Sequence, residues 1–240
     1  MFKEGKYSNV LTVFLVIVMI AIIILLGFLG VNVFNKYRIT KETGEGVEMF
    51  DNSVPSVDWE DELYGGSSQN YFNSVSNNII GGNALANLIT PETSTGSNGG
   101  SGGSSELTYK GFPMIGTITI SKTDVNLPIL AKVSKESIEA SVAKQYGADL
   151  NQPGNVVIIG HNFRNGLFFS NNKKLEVGDK IKIKDRNGTT LTYTIYSKFE
   201  TDEGDASFYD RDTNGKCEIT LSTCTDNDAT RRLIILARAE

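Results

Sequence analysis

Cys224 closes the run "ITLSTC", and two arginines, Arg231 and Arg232, follow within eight residues. The chain holds only two cysteines and one histidine, His161, which ends the run "VVIIGH" about sixty residues upstream. Cysteine reacts as its thiolate, and an unperturbed thiol with a pKa of about 8.5 is only a few per cent ionised at neutral pH. A nucleophilic cysteine therefore needs a base or a cation beside it. Histidine can protonate a leaving amine, whereas arginine does not deprotonate in proteins and can only steady a developing oxyanion. Together the three types suit acyl transfer, with Cys224 attacking a carbonyl, His161 serving the leaving amine and an arginine holding the oxyanion. Taken singly, a cysteine is more often a small buried hydrophobe and a lone histidine is often structural. Their joint placement at the ends of strand-like runs is what points to chemistry.

Other uses of these residues fall away. Cys217 and Cys224 are seven positions apart in one strand-like run, roughly 23 Å at about 3.3 Å per residue, and on opposite faces. A disulfide needs Cα atoms within about 7 Å, so the two do not bond each other. One histidine and two separated cysteines do not make a structural zinc site. The net charge of −5 includes no dense Lys/Arg block, which excludes a nucleic-acid surface.

The elements that must position the three residues lie from about Thr108 onward. "MIGTITI" (114–120) and "VNLPIL" (125–130) read as strands, and "NVVIIGHN" (155–162) as a short buried strand ending at a glycine. "KIKIK" and "TLTYTIYSKF" flank "DRNG", where Asn187-Gly188 signals a hairpin. "KCEITLSTC" and "RRLIILARAE" complete the series. "SKESIEASVAKQYG" (134–147) reads as a helix capped by Ser134, with Ile138, Val142 and Tyr146 on one face and Gly147 at its end. Roughly seven short strands with one or two short helices imply a closed or nearly closed β-barrel, because so many strands otherwise leave exposed edges.

Ahead of this region the text is of another kind. Val10 to Phe34 is 25 residues without a charge. As a helix it extends about 37 Å, enough to cross a hydrocarbon core of about 30 Å. It is longer than a signal-peptide core and lacks a small-x-small cleavage site, so a retained signal-anchor is expected after a short tail over 1–9. Lys3 and Lys6 precede it while Lys36, Arg38 and Lys41 follow, a count that by itself leans toward a cytoplasmic C-terminus. Residues 35–106, acidic and then rich in Gly and Ser up to "GSNGGSGGSS" (96–105), read as a flexible, mostly disordered tether, with a transient helix over the patch 77–89. The globular domain is then 107–240.

The globular part resembles the sortases, cysteine transpeptidases of Gram-positive cell envelopes. "TLSTC" (220–224) matches the family's TLxTC signature. "GH" at 160–161 with the Asn162-Phe163 loop and "GLFFSNNKKLEVGDKIKI" resembles its histidine segment, "RRLIILA" its arginine strand, and "IGTITISKTDVNLPI" (115–129) its first two strands. The resemblance covers roughly residues 108–240 and implies an eight-stranded barrel. It also implies Cys224 as nucleophile, His161 as general acid and base, and Arg232 as the arginine. Ala237 falls five residues past Arg232, as in the family, and strand alternation points Arg231 the other way. Thr223, Ser222 and Asn162 are the expected substrate contacts.

The implied reaction cleaves an LPxTG-like sorting signal through a thioacyl-enzyme and passes the protein to an amine of a peptidoglycan precursor or a pilin subunit. The enzyme would be anchored in the membrane by 10–34, with an extracellular catalytic domain, opposite to the orientation that the lysine and arginine count favours. No cofactor is needed. "DRDTNG" begins like a calcium loop at Asp210, Asp212, Asn214 and Gly215, but Leu221 stands where its bidentate glutamate should be, so a solvated loop is expected. The interval from His161 to Cys224 is too short for the inserted helix of class B, and an N-terminal anchor with a compact core, ending just after the last strand rather than in a second span, is nearer class A, D or E. Two tether features carry weaker resemblances, Asp58-Trp59 to a pilin-sortase lid and "LITPETSTG" (88–96) to a sorting signal. Papain-like proteases place Cys before His, and the SHGC signature of L,D-transpeptidases is missing. The alternative from another class is a non-catalytic wall-binding or adhesin module on a membrane-anchored stalk.

Overall fold

The structure is a computed structural model that describes residues 4–54 and 106–240, residues 4–10 by their backbone alone. Helix α1 spans Glu4–Ser53. There follow β1 (Thr108–Tyr109), β2 (Phe112–Ile120), β3 (Val125–Leu130), α2 (Lys135–Ala140), β4 (Val142–Gly147), β5 (Gly154–Ile159), β6 (Lys180–Asp185), β7 (Thr190–Asp202), β8 (Cys217–Cys224) and β9 (Arg231–Ala239). The strand order is β1-β2-β3-β4-β5-β8-β9-β7-β6, and a further antiparallel pairing of β2 with β6 closes β2 to β9 into an eight-stranded barrel. Closure removes the exposed edges that such short strands would otherwise present. The fold is thus mainly β with few helices, as the strand spacing predicts.

Alternation sorts the side chains. Val156 and Ile158 of β5, Ile219 and Leu221 of β8, and Ile235 and Ala237 of β9 enter the barrel interior with Phe169 and Tyr193. The intervening residues face outward, where Val157, Ile234 and Leu236 meet Phe208 from the β7–β8 connection. Burying a side chain such as Phe208 contributes about 1.5–3 kcal/mol, enough to hold that connection against the outer face. Arg211 from the same connection pairs with Glu218 at 2.5 Å and donates to Asn155 at 2.9 Å.

The hairpin over "DRNG" forms as predicted. The Asp185 carboxylate accepts from the Asn187 and Thr189 N–H groups at 2.8 and 3.0 Å, and Gly188 takes φ +84°. The helix expected over 134–147 is a correction. Ser134 does cap α2, in a reciprocal capping box with Ser137, but α2 stops at Ala140 and residues 142–147 form β4. Val142 and Ala143 pair in parallel with Ile129 and Leu130 and are fully buried. Strand pairing inside the barrel outweighs the helical pattern of the isolated segment. Gly147 ends no helix. At φ +95° it lies where a Cβ would sit 1.8 Å from the Asn155 carbonyl oxygen, an approach that requires glycine.

A second correction concerns the tether, because residues 35–53, expected as linker, continue α1 as helix. Thr43, Val47, Phe50 and Val54 recur at helical spacing and are buried against the barrel. Leu11 to Phe34 are exposed, and α1 is the one described helix long and apolar enough to cross a membrane. The patch 77–89, Asp58-Trp59 and "LITPETSTG" lie outside the described residues. Between His161 and Cys224 the only helical turn is a 3-10 turn over Asn172–Lys174. The acidic loop folds as a turn in which Asp212 accepts from the Asn214 N–H at 2.8 Å, and no three His, Cys, Asp or Glu side chains gather as metal ligands among the described residues.

Candidate active site

Three neighbouring strands, β5, β8 and β9, bring the sequence-predicted residues together at one end of the barrel. Ile159 pairs in parallel with Ser222, Ser222 pairs antiparallel with Ile234, and Cys224 pairs with Arg232. Past the end of β5 the chain keeps beside β8, since the Gly160 N–H donates to the Ser222 carbonyl at 3.2 Å and Asn162 Nδ2 to the Cys224 carbonyl at 3.0 Å. His161, two positions beyond Ile159, therefore lies level with Cys224, two positions beyond Ser222. Residues opposite each other on adjacent strands share a face. His161, Cys224 and Arg232 thus form one row on the outer face, with strands about 4.8 Å apart.

The row behind it, Ile159, Ser222 and Ile234, is buried or nearly so and floors the site. Thr223 alternates to the opposite face, is 4% exposed, and its Oγ1 finds no hydrogen-bond partner. It does not join the row, but it lines the cleft that opens at Cys224, whereas Ser222 lies behind Cys224 in the buried row. Arg231 also alternates away from Arg232 and pairs with Asp202 at 3.2 Å and Glu200 at 3.6 Å on β7.

Each member of the row is held by neighbours the sequence did not single out. His161 lies against Phe163 with ring centroids 4.8 Å apart, and Phe163 against Phe168 at 5.4 Å. Its carbonyl accepts from the Phe169 N–H at 3.1 Å, and its Nε2 sits 3.5 Å from Glu139 Oε1 of α2 without a hydrogen bond. Arg232 donates through Nη1 to the Ala229 carbonyl at 2.5 Å and through Nη2 to Glu203 at 3.2 Å, which ties it to the turn before β9 and to the start of the roofing connection. Asn162, expected as a substrate contact, spends its amide inside the protein, on the Cys224 carbonyl and on Asp226 at 2.7 Å. Asp226 also pairs with Lys173, and the hydrogen bonds from Lys173 and Asn162 hold its carboxyl below the usual range. Phe163 and Phe168 fall in the segment that resembles the family's histidine loop, whereas no motif in the sequence marks Glu139 or Asp226. An acid two residues past the cysteine was a usable signal for Asp226, while Glu139 meets His161 only through the fold.

A cleft of about 340 Å³ opens at Cys224, lined also by Asn162, Thr223, Asp226 and Arg231; His161 and Arg232 stand outside its lining, so the cleft meets the row at Cys224 alone. Another of about 410 Å³, lined by Tyr146, Tyr209 and Arg211, lies toward the far end of the strands. Cys217 also stands at that far end, its sulfur 3.5 Å from the Asn151 carbonyl and its thiol pushed up by burial. Both cysteines are free. A thiol, an imidazole and a guanidinium in one row can perform nucleophilic acyl chemistry, because each role of attack, proton transfer and charge stabilisation has a suitable group.

Comparison with known proteins gives this arrangement a context. The family model described as "Sortase domain" matches residues 118–240. "Sortase A" of Streptococcus agalactiae serotype III is 28% identical over 141 residues, covering 54% of this chain and 54% of the relative. "Sortase A" of Listeria monocytogenes serovar 1/2a is 26% identical over 134 residues, covering 55% and 59% respectively. The chain thus spans a little over half the length of the curated relatives it matches. Among solved structures, a Clostridium perfringens Sortase D5 transpeptidase is 29% identical, with 53% of this chain and 79% of that one covered at a TM-score of 0.49.

Proposed function

The chain belongs to the sortase family, and from that premise we propose that it is a membrane-anchored cysteine transpeptidase with Cys224 as nucleophile, His161 as acid and base, and Arg232 as the cation of the oxyanion site. The row of these three side chains on one face of β5, β8 and β9 is the observation that carries this reading. In the first half-reaction the Cys224 thiolate attacks the threonine carbonyl of an LPxTG-like signal. The C–N bond to glycine breaks, the leaving amine takes the proton of the His161 imidazolium, and a thioacyl-enzyme remains. In the second, an amine of a peptidoglycan precursor or of a pilin subunit attacks the thioester and gives its proton to His161. A new amide forms, the thiolate departs, and the starting pair is restored without a metal or an organic cofactor.

Arg232 is tied to Glu203, but an ion pair this exposed is worth about 0–1 kcal/mol and exchanges readily for a developing oxyanion. The cleft at Cys224, lined by Thr223, Asn162 and Asp226, is where the sorting peptide would lie. Residues 10–34 anchor the enzyme, with the catalytic domain outside the cell.

The test uses the full chain in detergent with an LPxTG peptide and a glycine-peptide amine, with products identified by mass. The reading expects the amide product and a thioacyl-enzyme adduct in the wild type and neither in Cys224→Ala, with Cys217→Ala retaining both. Equal product from Cys224→Ala overturns it. Product formed with water alone would make the chain a hydrolase rather than a transpeptidase.

A further inference from the structure

We propose that residues 39–54 of α1 are a strap that positions the histidine loop, residues 161–169, and with it His161; the catalytic consequence rests on the function proposed above. The strap has a built seat. Phe50 is fully buried among Tyr109, Met114 and Leu130, and Val47 and Val54 are buried as well. Gly46 lets the helix close on the barrel, since a Cβ there would lie 2.6 Å from the Tyr109 ring and 3.0 Å from Pro128. Lys110 pairs with Glu42 at 2.6 Å, and Lys184 pairs with Asp51 at 3.0 Å and donates to the Val54 carbonyl at 3.2 Å. A segment that merely tethers needs none of these contacts.

The other end of the strap meets the histidine loop. Ile39 packs against the cluster that contains Phe168, and Ile39, Thr40 and Thr43 line a cleft of about 240 Å³ shared with Leu167 and Phe168. The Lys36 ammonium stands 2.9 Å from the Cβ position of Gly166. The loop needs such support, because Arg164, Gly166 and Phe168 all adopt left-handed backbone, with φ of +57°, +85° and +50°. A bulky residue such as Phe168 keeps that conformation only where its surroundings over-determine it. Phe168 contacts Phe163, and Phe163 contacts the His161 ring, so a line of packed rings runs to the imidazole from Phe168, which shares its cluster and cleft with the strap's Ile39.

The experiment uses the full chain in detergent and two readouts, amide hydrogen exchange and single-site kinetics normalised to titrated active sites. Gly46→Leu drives a branched side chain into the Tyr109 ring, whereas Gly44→Ala adds a methyl where nothing lies within 4 Å. Gly46→Leu is expected to speed exchange over 163–170 about tenfold and to lower kcat about tenfold, with KM within about twofold, and Gly44→Ala to change neither. Ile39→Ala, which spares the lower seat, is expected to give about threefold on both readouts, and it decides the matter if Gly46→Leu fails to fold. Faster exchange over 39–54 with unchanged exchange over 163–170 and unchanged kcat overturns the proposal. A wild type that forms no thioacyl-enzyme would sink the proposed reaction instead, while the exchange readout would still judge the strap.

Discussion

The two ends of β8 carry the same residue type in opposite circumstances. At one end Cys224 lies in a row with His161 and Arg232 on the outer face, beside an open cleft. At the other end Cys217 packs against the barrel core, its sulfur near the Asn151 carbonyl and its thiol pushed up by burial. Next to it, Glu218 is buried under Arg211, Arg238 and Tyr196, a satisfied polar cluster that holds the roof rather than performing chemistry. Under the function proposed above, one strand supplies a reactive end and a structural end, and the difference comes from neighbours on adjacent strands, not from the cysteines themselves.

The sharpest way to break that contrast is to exchange the cysteines for alanine in turn. Cys224→Ala is expected to lose at least about 10⁴-fold in amide product, the scale seen when a nucleophile is removed. Cys217→Ala is expected to stay within about twofold. Comparable losses in both would mean that the row is not where the chemistry occurs.

A second test separates the adjacent arginines. Removing one hydrogen-bond donor from an oxyanion site typically costs about 10²–10³-fold in kcat. Arg232→Ala should show that loss, and Arg232→Lys most of it, because a lysine does not reproduce the planar fork. Arg231→Ala, which breaks exposed pairs with Glu200 and Asp202, should change kcat less than about threefold. The reverse ranking would place the oxyanion cation on the other face of β9.

The arginine choice shows how legible the site was. Arg232 was legible through Ala237 five residues on, as the resemblance implies, with alternation turning Arg231 the other way, whereas the register that sets Arg232 opposite Cys224 comes only with the fold. His161 was legible as a strand-end residue, and the barrel from the count and spacing of strands. What was illegible depends on packing between distant segments. Val142 and Ala143 suit a helix face equally well and become strand only because β3 and β5 flank them. Thr43, Val47 and Phe50 already had helical spacing, but acidic neighbours disguised the stripe as tether until the barrel offered Tyr109 and Met114 as partners. No local pattern announces that Asp226 and the Cys224 carbonyl take the amide N–H groups of Asn162, which still lines the cleft at Cys224.

The structural end of β8 can be broken too. Arg211→Ala leaves the buried Glu218 carboxylate short of a partner, and removing one member of a buried pair typically costs about 3–5 kcal/mol. Because Arg238 and Tyr196 remain, the lower end of that range is expected, measured by urea unfolding. Burial raises the Glu218 carboxyl, but the hydrogen bonds from Tyr196, Arg238 and Arg211 outweigh it, and the group lies below its ordinary value. Its contribution is therefore complete above the unfolded-state pKa of about 4.3 and disappears as pH falls through the lower folded-state value. The stability gap between wild type and Glu218→Gln should accordingly narrow as pH is taken from 7 toward 3. A gap that widened would put the carboxylate in an unfavourable site.

The smallest effect concerns Cys217 alone. In Cys224→Ala it is the only thiol left, so alkylation by iodoacetamide reports on one group. Burial disfavours the thiolate and raises the pKa, so at pH 8.5 the folded protein holds less thiolate than a free cysteine, whose pKa is about 8.5. Alkylation of the folded chain should run several-fold slower than that of the urea-unfolded chain, and its pH midpoint should lie above that of the unfolded chain. Equal rates in the two states would show that Cys217 is as accessible and as acidic as a solvated thiol. The contrast between the two ends of β8 would then rest on the presence of His161 and Arg232 alone, with burial contributing nothing to the quiet end.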